Sequence, residues 1–528
     1  MGRCEGTLRS CRLAIIGIAA AAVALVSAGP LAACHSTPPT EWVVGVEDWF
    51  IAANWNHGVP TPTNDALINN WGEANIDAPG ATARDLKLGY TVDGGGTVTL
   101  WAGSLSVKRN EYNGLAGSGT VLQRGGEHYV SSGALTHGDD PGSFGTYDLA
   151  DGLLSVLRTE YVGREGSGAF IQAGGLHEVT CGGLVLAYKA GSSGAYSLDA
   201  GTLDVNAAVI VGDGGSGAFT MASGTFTIGG GLTLADDLGS DGAFSLSGDS
   251  LFDSLVVDDS EIVGDLGFGS FEQNGGLHLV GGSLKLANNI AAIGTYSLLD
   301  GTLGIAGSEY IGYRGVGIFS QVGGTHTVGG TLFVGGASGS SGKLAIDAGS
   351  LVAKVIRIGD SGELGMLDIY SDAPYIEATQ RLTFGALAIV TAAPGAAIHV
   401  TGACVSNYSA EESNLAGLEN VALLLDGGLD TFTTVEVAGA DLGADAAGFV
   451  NNFTLGSLVV GDDATPTKVR LKDAFDNGNR GLAAEALYVH DIVVGPGSTL
   501  DLRYVKVYYD GTLDNQGTIL GSAPIAVP

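Results

Sequence analysis

Basic side chains are scarce. Across 528 residues there are 23 Lys and Arg against 56 Asp and Glu, a formal charge of −33 with a pI near 4.3. A polyanion of this kind does not wrap nucleic acid, whose phosphates demand a basic surface. Cysteine is nearly absent: of five, Cys4, Cys11 and Cys34 fall at the N-terminus, leaving Cys181 and Cys404 far apart. No disulfide framework can be built from those two. The longest apolar run, Leu13 to Val26, has about fourteen residues, short of the ~20 that a membrane-crossing helix needs. No window carries a convincing 3.6-residue apolar period, so helices should be few. Intrinsic disorder is excluded as well, because 45% of residues are hydrophobic and mean hydropathy is +0.27.

What is abundant is glycine, 88 residues in all, and it is periodic. An aromatic or apolar residue follows a Gly-rich turn at Val121, Tyr147, Phe170, Tyr196 and Phe219. The series continues at Phe244, Phe271, Tyr296, Phe319 and Leu344, in steps of 23 to 27 residues. Each row holds three short runs of alternating apolar and polar residues, closed by Gly or Asp. Alternation with period two means strands, and Gly supplies the positive φ that tight corners need. Three strands per ~25-residue repeat describe one turn of a solenoid. The expected fold is all-β: a single-stranded parallel β-helix, right-handed by the usual hand of parallel crossovers.

A longer period of about 49 residues pairs the coils. Gln recurs at Gln123, Gln172, Gln273 and Gln321, and His at His128, His177, His278 and His326. In intervening rows the same places hold Leu, as at Leu149 and Leu154 or Leu198 and Leu203. The row at Phe219 departs, with Met221 for Gln and Phe226 for His. Repeated His invites a metal reading, but successive His lie two coils apart, ~9–10 Å by strand spacing. Ligands of one ion sit within ~2.1 Å of it, so neighbours cannot share one. Alternation with Leu points to packed slots, and we read both columns as structural ladders, the Gln as stacked amides that satisfy internal hydrogen bonds.

The N-terminus reads differently. Arg3, Arg9 and Arg12 precede the apolar run, and small residues follow it, the layout of a secretory signal. It ends in Leu31-Ala32-Ala33-Cys34, which resembles the lipobox of bacterial lipoproteins. The resemblance implies cleavage before Cys34, a diacylglycerol on its thiol, and acylation of the new amine. Two or three chains anchor stably where one does not. His35, rather than Asp, after the Cys resembles an outer-membrane address. Residues 1–33 thus read as signal peptide, 34–40 as tether, 41–118 as an N-terminal β cap and 119–400 as regular repeats. Residues 401–455 read as irregular coils with a loop from Ser406 to Asn420, and 456–528 as a β-rich closing segment.

The rows resemble those of Gly-rich β-helical surface proteins of planctomycetes and of autotransporter-like passengers. The likeness rests on the two row types, F-x-Q-x-G-G-x-H and Y-x-L-x-x-G-x-L. It extends to Asn54-Trp55 with Gly58 and Pro60, and to the stretch from Leu458 to Leu502. It implies a surface location and no established activity. The Pro-Glu-Pro tail of many such proteins and the aromatic-ended barrel strands of autotransporters are missing.

No catalytic constellation stands out. His137-Gly138-Asp139-Asp140 echoes part of a polysaccharide-hydrolase set, but it lies in a variable turn, and Arg164, Lys189, Lys285 and Arg314 are scattered. Asp pairs at 139–140, 236–237, 258–259 and 462–463 suit turns, and allow weak surface calcium. There is no EF-hand and no phosphate loop. The expected protein has no cofactor and no enzyme activity. It is a lipid-anchored envelope rod, structural or adhesive, that meets the bilayer through its lipid and glycans or envelope proteins through its surface. The alternative is a polysaccharide-binding or polysaccharide-cleaving, lyase-like β-helix, which an aromatic or carboxylate-plus-Lys cluster exposed on one coil face would favour.

Overall fold

A computed structural model describes residues 37–249, 252–360, 362–480 and 484–528. The signal region and Cys34 lie outside the described residues.

One repeat explains the rest. Ser167–Gln172, Leu176–Val179 and Leu184–Leu186 form the three strands of a coil, separated by glycine-rich corners. Alternation sends Phe170, Gln172, His177, Val179, Leu184 and Leu186 inward. The next coil places Ser193–Leu198, Thr202–Val205 and Val209–Val211 on the same three faces, in parallel register: Tyr196 over Phe170, Leu203 over His177, Val209 over Leu184. Every paired strand among the described residues follows this rule, and the stack makes a β-solenoid of about 19 turns. At ~4.8 Å per strand spacing the rod is roughly 90 Å long. Among the described residues only three short 3-10 segments interrupt the β structure, at Ala52–Asn54, Glu412–Asn420 and Ala446–Phe449.

Inward residues from the three faces fill one long core, with a small second cluster of Phe449, Ala486, Tyr488, Tyr508 and Val527 beside its C-terminal end. The row-opening rings form its spine, running Tyr147, Phe170, Tyr196, Phe219, Phe244, Phe271, Tyr296, Phe319. Neighbouring ring centroids are 4.6 to 5.0 Å apart and the ring planes are nearly parallel. Offset stacks of this kind add about 0.5–1.5 kcal/mol per pair beyond area burial.

Coil stacking begins ahead of residue 119, since Gly95–Leu100 already pairs in register with Ser118–Gln123. At the N-terminal end Trp42, Trp49 and Trp55 pack edge to face and close the core, with Trp55 Nε1 donating to the Trp49 carbonyl. Trp71 and Trp101 stay on the surface. In the loop after Ser406, Leu415 and Leu418 turn inward and cover the core beside Ala388–Ala392. Cys181 and Cys404 are both free.

Corners set a conformational demand. Gly175 has φ +72° and a Cβ there would lie 2.6 Å from the Gly152 carbonyl oxygen of the coil below. Gly191 has φ +86° with open space around it. The expectation is that Gly191→Ala costs about 1–2 kcal/mol, the left-handed backbone penalty alone. Gly175→Ala should cost more, because the coils must also part. Denaturant midpoints that are equal for the two variants would contradict the close approach.

Candidate functional site

The Gln and His columns meet the row-opening Tyr of the following coil and a Glu that the row pattern does not show. His128 stands inward on Glu127–Val130, and its Nδ1 lies 2.8 Å from the Tyr147 hydroxyl of the following coil. That hydroxyl donates to Gln123 Oε1 at 2.5 Å. On the other side, His128 Nε2 lies 2.8 Å from Glu111 Oε2, from the preceding coil. Gln123 Nε2 donates to the carbonyls of Gly126 and Leu153. The four side chains join three consecutive coils, and all are fully buried.

The unit recurs. Glu160, His177, Tyr196 and Gln172 repeat it with contacts of 2.8, 2.9 and 2.6 Å. Glu261, His278, Tyr296 and Gln273 repeat it with 2.9, 2.9 and 2.7 Å. In the fourth unit Glu309 pairs with His326 at 2.8 Å, but Leu344 occupies the Tyr place. Gln321 Oε1 and His326 Nδ1 there lack a hydrogen-bond partner among the described residues. The carboxylate contacts at Nε2 have ion-pair distance without hydrogen-bond direction, so we treat them as charge contacts. Because Tyr gives its proton to Gln, the ring Nδ1 must be the donor to Tyr.

One row shows the alternative. Val209, Met221, Phe226 and Phe244 occupy the places of Glu, Gln, His and Tyr. All four polar members are exchanged together, leaving no orphaned charge. The amides do not stack on one another: each Gln donates to two backbone carbonyls, and Gln123, Gln172 and Gln273 also accept from a Tyr hydroxyl. A signal for the missing partner existed in the sequence: each Glu precedes its His by seventeen residues in all four units.

Chemically the units are closed. Burial, with the nearby Glu charges, pushes the Tyr147, Tyr196 and Tyr296 hydroxyls well above their usual range. A Glu–His–hydroxyl set can serve acid–base chemistry only if a substrate reaches it, and these atoms are sealed. Glu160 is held by two imidazoles, His177 and also His137, whose Nε2 is 3.1 Å away. Burial alone would raise its pKa, but the adjacent His177 charge and the hydrogen bond with His137 outweigh that and set it at about 2.

The acidic pairs separate. Asp139 is paired with Arg164 at 2.6 Å, and Asp462 accepts from Ala464 and Thr465 in its own turn. Only at Asp236 and Asp237 does a third carboxylate, Asp213, come within 4.8 Å, the one such cluster among the described residues. Burial and the Asp213 and Asp265 charges push Asp236 up to about 6. These are surface turns, and hydrogen bonds from Asn288 and Asn289 occupy Asp265.

The outer third face carries an aromatic–cation cluster. Tyr310 stacks on Phe333 at 4.8 Å and meets Tyr313 edge to face, while Lys285 and Arg314 lie over the Tyr313 ring. Arg357 lies over Phe333. Comparison with family models, curated proteins and solved structures gave no match.

Two outcomes test this core. His278→Phe alone should cost about 3–5 kcal/mol, because Glu261 is left as a buried unpaired charge. Adding Glu261→Val, Gln273→Met and Tyr296→Phe, the natural apolar set, should recover most of it; a fourfold variant as unstable as the single one would refute the reading. Glu160 has a folded pKa below its ordinary 4.5, so its contribution is complete above about 4.5 and fades as pH falls toward about 2. The stability gap between the native chain and Glu160→Gln, followed by urea unfolding from pH 7 to 2, should therefore narrow below pH 4.5. A gap that stays constant would show that Glu160 is not ionised in the core.

Proposed function

We propose that this protein is an exported, lipid-anchored rod of the bacterial cell envelope with a structural or adhesive role. The observation that carries the reading is the β-solenoid of about 19 turns, whose polar core groups serve the stack and not a substrate. A rod joined at one end to lipid holds its surface away from the membrane, and an excess of carboxylates keeps it soluble and extended in space. Among the described residues no helix is long and apolar enough to cross a membrane. Attachment in this reading falls to Cys34, through the lipobox at Leu31 to Cys34 and the short tether after it. The resemblance to Gly-rich surface proteins supports the same location, at the outer membrane or cell surface. The reading includes no catalytic step.

Expression of the full chain in a Gram-negative host fed a clickable fatty acid tests it. The native chain should take up label, fractionate with the outer membrane and begin at Cys34 after processing. Cys34→Ser should lose the label and leave the membrane fraction. An unlabelled native chain would refute the anchor.

A further inference from the structure

The middle of the rod carries a groove along its axis on the outer wall. Its floor is built from outward side chains standing directly above one another in five successive coils, Val256, Leu279, Gly304, Thr327 and Val352. This part has a volume of about 590 Å³. A second part of about 380 Å³ meets it at Thr379 and continues past Arg357, Arg381 and Cys404. Six strand spacings separate the two ends, roughly 29 Å.

The charge in the groove is opposite to that of the chain. Lys354 and Arg381 are exposed and belong to no ion pair among the described residues. Arg357 pairs with Asp360 at 2.6 Å, yet its Nε is buried without a hydrogen-bond partner. Three cations on two adjacent coils are a local concentration in a molecule with more than twice as many acids as bases. One carboxylate, Asp258, lines the opposite end.

These features select a ligand class. An open trough that crosses many coils accommodates a linear polymer, not a small molecule. The strands beneath it pair on both sides, so no peptide can be added as an extra strand. No aromatic side chain lines the floor to stack nucleobases, which disfavours a single-stranded nucleic acid. Small apolar side chains do suit the C–H faces of sugar rings. We propose that the groove binds a linear anionic polysaccharide, its rings along the Leu279–Val352 floor and its carboxylate or sulfate groups at Lys354, Arg357 and Arg381. This deepens the surface-rod reading by naming a partner, and a binding assay on the purified chain fails or succeeds independently of lipid attachment.

Gly304 provides a test that spares the core. Its backbone is not left-handed, and an added Cβ meets only the flexible end of Leu279, at 2.9 Å, and Thr327 Oγ1 at 3.7 Å. Gly304→Phe should fill the trough, and Lys354→Glu with Arg381→Glu should repel the ligand. Biolayer interferometry at low salt would use polygalacturonate and dextran sulfate as probes, distinguishing carboxylate from sulfate recognition. Neutral dextran, poly-L-glutamate and oligo-dT serve as comparisons. We expect binding to at least one anionic glycan, weakened tenfold or more by each variant, at unchanged melting temperature. Binding to neither glycan would overturn the proposal, as would binding that both variants leave intact. Equal binding of poly-L-glutamate or oligo-dT would also overturn it, by showing attraction to any polyanion.

Discussion

Everything in this molecule depends on the parallel register of its coils. Each residue stands over its equivalent in the coil below, at the spacing of hydrogen-bonded strands. A side chain is therefore chosen for a column as much as for a place in the sequence. Aromatic rings profit from such an arrangement, and the eight-ring stack from Tyr147 to Phe319 is its direct consequence. Small corner residues follow from it too, because a Cβ on Gly175 would press on the backbone beneath. The same register makes a buried charge hazardous, since nothing but an adjacent coil can answer it.

The core answers in two ways. Four times it places a Glu from one coil against a His from the next and, in three of these, extends the contact through Tyr to Gln. Once it uses Val209, Met221, Phe226 and Phe244 in the same four places. Replacing a buried ion pair by apolar residues of similar size is often neutral or stabilising, while removing one partner is severe. Coexistence of both solutions in one rod shows that the polar units are not needed to form a coil. What they add is selectivity, because Glu, Gln, His and Tyr find one another only when three consecutive coils are in native order.

Much of this was legible in the sequence. Alternation, glycine corners and the 23–27-residue step lead to the parallel solenoid, and the Leu alternatives at the Gln and His places point inward. The partners of those columns were harder to read. Glu111 and its equivalents belong to the strand that ends the preceding coil, so a pattern aligned on row starts separates them from the His they serve. Coil lengths vary, which hides the regularity unless intervals between residue types are compared directly. Acidic residues in an acidic chain also read as surface, and Glu160 is instead among the most buried groups. The groove was not legible at all: Gly304 and Thr327 look like any outward positions until strand register aligns them.

The resulting picture is a long acidic wall around a buried, polar-pinned core, with a cationic trough on its outside. Its central claim is that the Glu–His units are sealed inside closed coils. The most direct measurement is exchange of the imidazole C2 hydrogen, followed residue by residue in deuterated buffer by mass spectrometry. His128, His177, His278 and His326 should exchange far more slowly than the solvent-facing His57 and His490. Exchange of those four at the rate of His57 would mean that the coils do not close around them, and the account would fail.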